Sequence, residues 1–176
     1  MTPNHPAPTG VKSAGMKCIC NIRIWLLSLL VTTAAAAAPL PNFAGVWVPV
    51  SVTPAGTAGT GSLALPPSDL TVSQTAGAMS LSRTAFDHVT TMTYTFDGRE
   101  NTNKSGAVTR VTHSRWDGSS FVIEGKMSQV TSQGYAAWTL KEVLHLNAKG
   151  HLVIEGEYIG VDGVVTRSTK EYAREK

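Results

Sequence analysis

The stretch Asn42-Phe43-Ala44-Gly45-Val46-Trp47 lies where an N-terminal leader gives way to a series of predicted β-strands. Phe43, Gly45 and Trp47 are separated by single residues. Phe, Gly and Trp at this spacing, at the start of an exported β-protein, predict a barrel in which Trp47 closes one end. We therefore expect Phe43, Gly45 and Trp47 to have a structural role in barrel closure.

The residues before this stretch have the pattern of a secretory signal. Lys17 and Arg23 form a positively charged flank, residues 24–31 are mostly apolar, and residues 34–38 are all alanine. This order of charge, apolar core and small residues is typical of an export signal. The apolar core is well short of the roughly 20 residues that a membrane-spanning helix needs, so we expect no membrane span in the mature form.

The predicted cleavage site follows Ala37, with Ala38 as the alternative, because Pro39 hinders a peptidase that cuts directly before it. Residues 1–37 are thus predicted to be an N-terminal extension and signal peptide, and the protein is predicted to be secreted or periplasmic. Translation could start at Met1 or at Met16, since the signal is complete from residue 17 onward. An uncleaved amphipathic anchor is the alternative interpretation.

Removing the leader makes the chain formally neutral. The whole chain has 15 Lys and Arg against 12 Asp and Glu, and Lys12, Lys17 and Arg23 all lie in the leader. The basic isoelectric point therefore comes largely from the leader and gives no argument for a nucleic-acid partner. Cys18 and Cys20 are the two cysteines of the chain and also lie in the leader, so the mature protein should have no disulfide.

Residues 38–176 are predicted to form a single all-β domain. They contain no long segment with helical periodicity, and Asp-Gly pairs, which favour tight hairpins, recur at 97–98, 117–118 and 162–163. Residues 51–68 are rich in Pro, Gly, Thr and Ala and predict a long loop. The pattern gives nine strands, namely one with Trp47, a short one at 70–74, and seven more.

The predicted hairpins agree on one continuous inner face, because paired residues in a sheet share a face. A two-residue turn at Asp87-His88 places on that face Met79, Leu81, Arg83, Met92, Tyr94 and Phe96. At Asp117-Gly118, a turn of either two or four residues adds Val108, Arg110, Thr112, Trp116, Phe121, Ile123 and Met127. A three-residue turn that ends in a left-handed Gly150 pairs Leu144 and Leu146 with Ile154 and Leu152. A two-residue turn at Asp162-Gly163 joins Ile154, Gly156 and Tyr158 to Arg167 and Thr169.

The opposite face is predicted to be solvated. It carries Thr109, His113, Arg115, Glu124, Lys126, Lys141, His145, Glu155, Glu157 and Lys170, with Glu155 opposite Lys170. A sheet of this width without a covering helix would leave two unpaired edges, and closure into a barrel removes them. We therefore predict an antiparallel up-and-down meander closed into a lipocalin-like barrel of 8–10 strands.

The motif Phe43-x-Gly45-x-Trp47, followed by the meander and a basic last strand, resembles the calycin superfamily of lipocalin and fatty-acid-binding-protein barrels. The resemblance implies that Trp47 packs at the closed end and that an Arg of the last strand stacks on it, either Arg167 or Arg174. The segments 94–98, 116–118 and 122–123 also resemble small secreted bacterial β-barrel proteins of unassigned function.

The chain departs from the calycin pattern in two respects. The second and third lipocalin signature blocks are not recognisable. The Arg-x-Tyr pair with which fatty-acid-binding proteins hold a carboxylate is absent, because the last strand has Tyr172-Ala173-Arg174 in the reverse order.

Several polar residues on the predicted inner face suggest a ligand site. Buried Arg and Glu are costly unless they are paired or solvated in a cavity, and three Arg against one Glu leave excess positive charge. We predict that the interior binds a small amphipathic ligand, with an anionic ligand as the more specific hypothesis. The predicted ligand-binding residues are Arg83, Tyr94, Arg110, Met127, Trp138, Glu142, Tyr158 and Arg167. The alternative is that some of these arginines reach solvent at strand ends.

Two other classes of function stay open. The first is an envelope interaction protein whose barrel is filled by its own side chains. The second, which we favour less, is a calycin-type enzyme such as an isomerase or hydrolase, with Glu142 as the inner carboxylate. His88, His113, His145 and His151 lack the spacing of a metal site. We therefore predict that the protein binds no metal. We also predict no other cofactor, no nucleic-acid partner and a monomeric protein.

Overall fold

The computed structural model describes residues 39–55, 68–85, 88–132 and 134–176, which lie in one compact unit, Ala38–Lys176. These residues form ten strands and, within the described ranges, no helix. The strands are β1 (Gly45–Ala55), β2 (Leu70–Gln74), β3 (Ala78–Ala85), β4 (His88–Thr95), β5 (Glu100–Ser105), β6 (Val108–Asp117), β7 (Ser120–Thr131), β8 (Gly134–Leu146), β9 (Leu152–Gly160) and β10 (Val165–Arg174). No helix of the described part is long and apolar enough to cross a membrane.

All ten strands belong to one antiparallel sheet in the order β4-β3-β2-β1-β10-β9-β8-β7-β6-β5. Each strand pairs with its sequence neighbour except at the β4–β5 junction, and β1 pairs with β10. The pairing of the first strand with the last rolls the meander into a nearly closed barrel. The predicted fold class, a lipocalin-like antiparallel barrel, is confirmed.

The count of nine strands was wrong because β5 carries no apolar residue. Its sequence is Glu-Asn-Thr-Asn-Lys-Ser, so no alternation of apolar and polar residues marks it as a strand. It nevertheless pairs along its whole length with β6, from Glu100 opposite His113 to Ser105 opposite Val108.

Side chains of β5 join it to β4, where no backbone ladder is formed among the described residues. The Asn103 amide accepts a hydrogen bond from Thr93 N at 2.8 Å and donates one to Thr93 O at 3.0 Å. Asn101 accepts from Thr95 N at 2.9 Å. The hydroxyls of Thr90 and Ser105 lie 3.0 Å apart. These bonds satisfy edge groups of β4 that a neighbouring strand would otherwise satisfy.

The Phe43-x-Gly45-x-Trp47 motif forms a packed closure with the end of β10. Trp47 is fully buried, and its indole Nε1 donates a 2.8 Å hydrogen bond to Phe43 O. The Arg174 guanidinium lies 4.4 Å from the Trp47 ring centroid and donates to Ala44 O and Asn42 O. Arg174, not Arg167, is therefore the last-strand arginine on the indole.

Aromatic side chains fill the interior next to this closure. Phe43 lies 5.3 Å from Trp116, and Phe121 lies 5.2 Å from Trp116 and 5.3 Å from Phe96, between ring centroids. Such tilted and edge-to-face contacts add stabilisation to the area that they bury. Buried Leu70, Met79, Leu144, Leu152 and Tyr172 belong to the same core.

The length of each turn determines the register of its hairpin. The three-residue turn predicted at Gly150 is confirmed. Gly150 has φ 74°, and Leu144 and Leu146 pair with Ile154 and Leu152. The hairpin predicted at Asp87-His88 is shifted by two residues, since His88 is the first residue of β4 and pairs with Ala85. At Asp117-Gly118, Trp116 pairs with Phe121 as the four-residue alternative predicts, and the ladder continues to Asp117 and Ser120. A shift of two keeps every side chain on its predicted face.

The register predicted for β9 and β10 was wrong by one residue, which exchanges the two faces of β10. The turn has three residues, Val161 to Gly163, because Gly160 N donates to Val164 O and Gly163 N donates to Gly160 O, both at 2.9 Å. Asn147, Gly150 and His151 make the same pair of bonds in the preceding hairpin. As a result, Arg167 pairs with Glu157 and Thr169 pairs with Glu155 on the outer face. Lys170 pairs with Ile154 on the inner face.

The long loop predicted at 51–68 was wrong for residues 51–55, which belong to strand β1. Strand β1 continues through Ala55, after a register shift between Pro49 and Ser51 in its pairing with β10. Residues 56–67 lie outside the described residues, as does the signal peptide predicted within residues 1–37.

Replacing Gly45 with Ala should destabilise the barrel. Gly45 has φ 140°, and an added Cβ would lie 2.7 Å from an Arg174 side-chain nitrogen. We expect Gly45→Ala to lower the free energy of unfolding by about 1–3 kcal/mol in urea titrations. Gly77→Ala is the matched control, since an added Cβ at Gly77 meets nothing within 4 Å. Equal effects of the two substitutions would show that the closure does not constrain Gly45.

Candidate functional site

A cavity of about 280 Å³ lies inside the barrel. Its walls come from β3 and β4 on one side of the β4–β5 junction and from β5 to β10 on the other. None of its lining residues is Phe43, Trp47 or Trp116, so the aromatic closure and the cavity occupy different parts of the interior. Its apolar wall consists of Leu81, Met92, Val108 and Met127.

A buried ion pair between Arg110 on β6 and Glu142 on β8 forms the polar centre of the cavity wall. Arg110 donates to both carboxylate oxygens of Glu142, at 3.0 and 3.3 Å. Their side chains are only 13% and 10% exposed. Tyr158 on β9 donates its hydroxyl to Glu142 Oε1 at 2.5 Å, and Arg110 lies 3.5 Å from the Tyr94 hydroxyl. The carboxylate is thus held by three hydrogen bonds.

This network fixes the charge of its members. Burial alone would raise the pKa of Glu142, but the Arg110 charge and the hydrogen bond from Tyr158 lower it to about 2. Burial and the Glu142 charge raise the pKa of Tyr94 to about 12 and also raise that of Tyr158. Arg110 and Glu142 are therefore both ionised at neutral pH, while the two tyrosines are neutral hydrogen-bonding groups.

Two further cations line the cavity without a counter-ion. Among the described residues, the side chains of Arg83 on β3 and Lys170 on β10 make no hydrogen bond and no ion pair. Arg83 lies 6.0 Å from the Tyr172 ring centroid. Burial, followed by repulsion from Arg83, lowers the pKa of Lys170 to about 8. Because Glu142 neutralises only Arg110, the cavity keeps an excess of positive charge.

The structure brings six of the eight predicted ligand-binding residues to the cavity. These are Arg83, Tyr94, Arg110, Met127, Glu142 and Tyr158. Trp138 is partly buried and packs against the core but does not line the cavity. The inward position predicted for Arg167 was wrong, since its side chain is 64% exposed and lies 2.7 Å from Glu157 on the outer face. That the six residues bind a ligand stays a prediction.

Sequence reasoning missed Lys170 as an interior residue and placed it outside. The Gly163 turn closes with the same pair of hydrogen bonds as the Gly150 turn, which was predicted correctly with three residues. A three-residue turn at Gly163 would have placed Lys170 inside. Four other polar lining residues, Ser68, Thr90, Ser105 and Gln129, were also not predicted. Ser105 belongs to β5, which the apolar pattern could not reveal.

The ten antiparallel strands and the interior cavity define the fold as a lipocalin-like β-barrel. No family model and no curated protein matches the sequence. Among solved structures, apo lipid binding protein 8 (LBP-8) of Caenorhabditis elegans is similar with a TM-score of 0.54 and 13% identity, over 78% of this chain and 100% of that one. A tyrosine-to-phenylalanine mutant of the REP1-NXSQ fatty acid transporter is similar with a TM-score of 0.53 and 14% identity, over 75% and 97%. These likenesses establish the fold.

Removing the charge of Glu142 should lower the stability of the protein and reduce the loss of stability at acidic pH. Its pKa of about 2 in the folded state lies below the ordinary 4.5, so its stabilisation is present above pH 4.5 and is lost as the pH falls through 2. We expect Glu142→Gln to lower the free energy of unfolding at pH 7 by about 3 kcal/mol, because Arg110 is left buried without a counter-ion. Urea titrations from neutral pH down to about pH 3 measure both effects.

The matched control for this substitution is Glu124→Gln. Glu124 also accepts from an arginine, Arg115 at 2.9 Å, but its side chain is 38% exposed. An exposed pair of this kind stabilises by about 0–1 kcal/mol. A Glu142→Gln variant as stable as the Glu124→Gln variant would contradict a structural role of the buried pair.

Proposed function

We propose that this protein binds a small amphipathic molecule, with an anionic head group, in the interior of the barrel. The observation that carries the proposal is a cavity of about 280 Å³ in which an apolar wall faces two cations, Arg83 and Lys170, that pair with no carboxylate of the described residues. Both side chains are partly buried, and cations withdrawn from water are costly when unpaired, so an anion that enters the cavity gains interactions that the empty protein does not make.

The lining assigns the two parts of such a ligand. The anionic group meets Arg83 and Lys170, while the apolar body packs against Leu81, Met92 and Met127. The cavity is slightly smaller than the ~300–1,000 Å³ of most ligand pockets, which favours a short chain over a long one. Support also comes from the similar structures, which are a lipid binding protein and a fatty acid transporter by name.

The alternatives receive less support. A barrel filled by its own side chains would not contain a cavity of this size. An enzyme that used Glu142 as a base would need a carboxylate able to take up a proton near neutral pH. The pKa of Glu142 is instead lowered to about 2, and Arg110 and Tyr158 occupy its oxygens. Glu142 is therefore better suited to positioning Arg110 than to proton transfer.

We place this binding function outside the cytoplasm, in the secreted or periplasmic fraction. The support is the sequence pattern of residues 1–37, in which a positive flank, a short apolar run and small residues follow one another. A small carrier in the bacterial envelope would hold an amphipathic molecule during its passage through water.

Decanoate and decanol have the same chain length, but only decanoate carries a negative charge. Comparing their affinities therefore distinguishes the contribution of the anionic group from that of the apolar chain. By isothermal titration calorimetry we expect decanoate to bind more tightly than decanol. Arg83→Met should weaken decanoate binding about tenfold, equal to ~1.4 kcal/mol, and leave decanol binding nearly unchanged. Lys126→Met is the control, because Lys126 is an exposed cation on the outer face.

The two ligands also give distinct negative results. Equal affinity for decanoate and decanol would contradict the anionic part of the proposal and keep the apolar part. If neither ligand binds a folded protein, the filled-barrel alternative is favoured.

Export can be tested separately from binding. When the full chain is produced in a bacterial host, we expect the protein in the periplasmic or culture fraction, with Ala38 or Pro39 as its first residue by intact-mass analysis. Replacing Leu26 and Leu29 in the apolar run by Arg should keep the chain full-length and in the cytoplasm, because a charged run cannot act as an export signal. Cytoplasmic, unprocessed protein from the unaltered chain would overturn the assignment.

A further inference from the structure

We propose that Lys170 holds small aliphatic aldehydes covalently, as an imine, inside the barrel cavity. This inference rests on the proposed function in one respect, since the same cavity must admit a small apolar molecule. It adds a chemical class of ligand and a reactive residue to a site so far described by charge and shape.

The position of Lys170 supports a role beyond simple solvation. It lies on the inner face of β10 opposite Ile154, and its side chain lines the cavity. Among the described residues no carboxylate pairs with its amine, since Glu142 is engaged by Arg110 and Tyr158. Lys141, in contrast, lies on the outer face, 3.1 Å from Glu124 and half exposed. Lys170 therefore differs from the surface lysines in both surroundings and partners.

The charges around Lys170 favour its neutral form. Burial is the largest influence, and the neighbouring cations Arg83 on β3 and Arg110 on β6 act in the same direction, against the attraction of Glu142 on β8. The pKa of about 8, instead of 10.5, leaves roughly one amine in ten unprotonated at pH 7. A neutral amine that is desolvated and lies beside other cations is the form in which lysine attacks carbonyl carbon.

The reaction needs no reagent other than the aldehyde. The Lys170 Nζ lone pair forms a bond to the carbonyl carbon, and the carbonyl π electrons move to oxygen. A proton passes from nitrogen to that oxygen, which gives a carbinolamine. Loss of the hydroxyl and of the remaining N–H proton as water then forms the C=N bond. One amine and one aldehyde thus yield one imine and one water, with no oxidation or reduction.

The cavity also favours the product. A neutral imine nitrogen removes a positive charge from the neighbourhood of Arg83 and Arg110, which lowers their mutual repulsion. The alkyl chain of the aldehyde can pack against Leu81, Met92 and Met127, whose burial from water opposes release.

Reductive trapping with decanal tests the proposal. The protein is incubated at pH 8 with decanal and sodium cyanoborohydride, which converts an imine into a stable secondary amine, and peptide mass mapping locates the adduct. We expect Lys170 to be modified at least tenfold faster than Lys126 or Lys141. Lys170→Arg and Lys170→Met should remove this adduct, whereas Lys126→Arg should keep it.

Decanol binding, measured on the same preparations, separates the two proposals. If decanol binds but decanal modifies all lysines at similar rates, the imine inference is overturned and the binding function stands. The same conclusion follows if modification is unchanged in a Lys170 variant that still binds decanol. If decanol and decanoate both fail to bind, the binding function itself fails, and the imine inference fails with it.

Discussion

The bidentate contact between Arg110 and Glu142 is the interaction on which the interior of this barrel depends. It places two ions inside a sheet that could otherwise be filled with aliphatic side chains, and it is tolerable only because the Tyr158 hydroxyl supplies a further hydrogen bond. Gly156, opposite Glu142 in the β8–β9 ladder, leaves the room that Tyr158 needs, since a Cβ there would lie 2.9 Å from the tyrosine ring. A polar network of this kind therefore constrains backbone positions on three strands.

The division of the interior into two parts follows from that network. Around Trp47 and the aromatic cluster of Phe43, Trp116 and Phe121, the interior is closed by packing and by Arg174. Where Arg110 and Glu142 face inward, the long polar side chains leave space that apolar residues do not fill, and Arg83 and Lys170 share it. The Phe43-x-Gly45-x-Trp47 motif, which identifies the fold, thus closes the barrel. The residues that could carry chemistry line the cavity and do not belong to that motif.

Local patterns in the sequence were sufficient for the architecture and for most of the site. Alternation and Asp-Gly turns predict the meander, and an error of two residues in a hairpin is harmless because side chains alternate with a period of two. An error of one residue at Gly163 was enough to exchange Arg167 and Lys170 between the faces. Strand β5 has no apolar residue to reveal it, and the size of a cavity depends on the packing of side chains from many strands, which no local pattern contains.

The junction of β4 and β5 gives the barrel a mechanical weak line. In the part of the barrel that the structure describes, nine of the ten neighbouring strand pairs are joined by backbone ladders, whereas the tenth is joined through the carboxamides of Asn101 and Asn103 and a pair of hydroxyls. Opening a ladder requires the backbone of two strands to move apart, but the carboxamide bonds can break by rotation within two side chains. Under thermal fluctuation the circumference should therefore widen first at this line, and the same carboxamides shield the two strand edges from pairing with another chain.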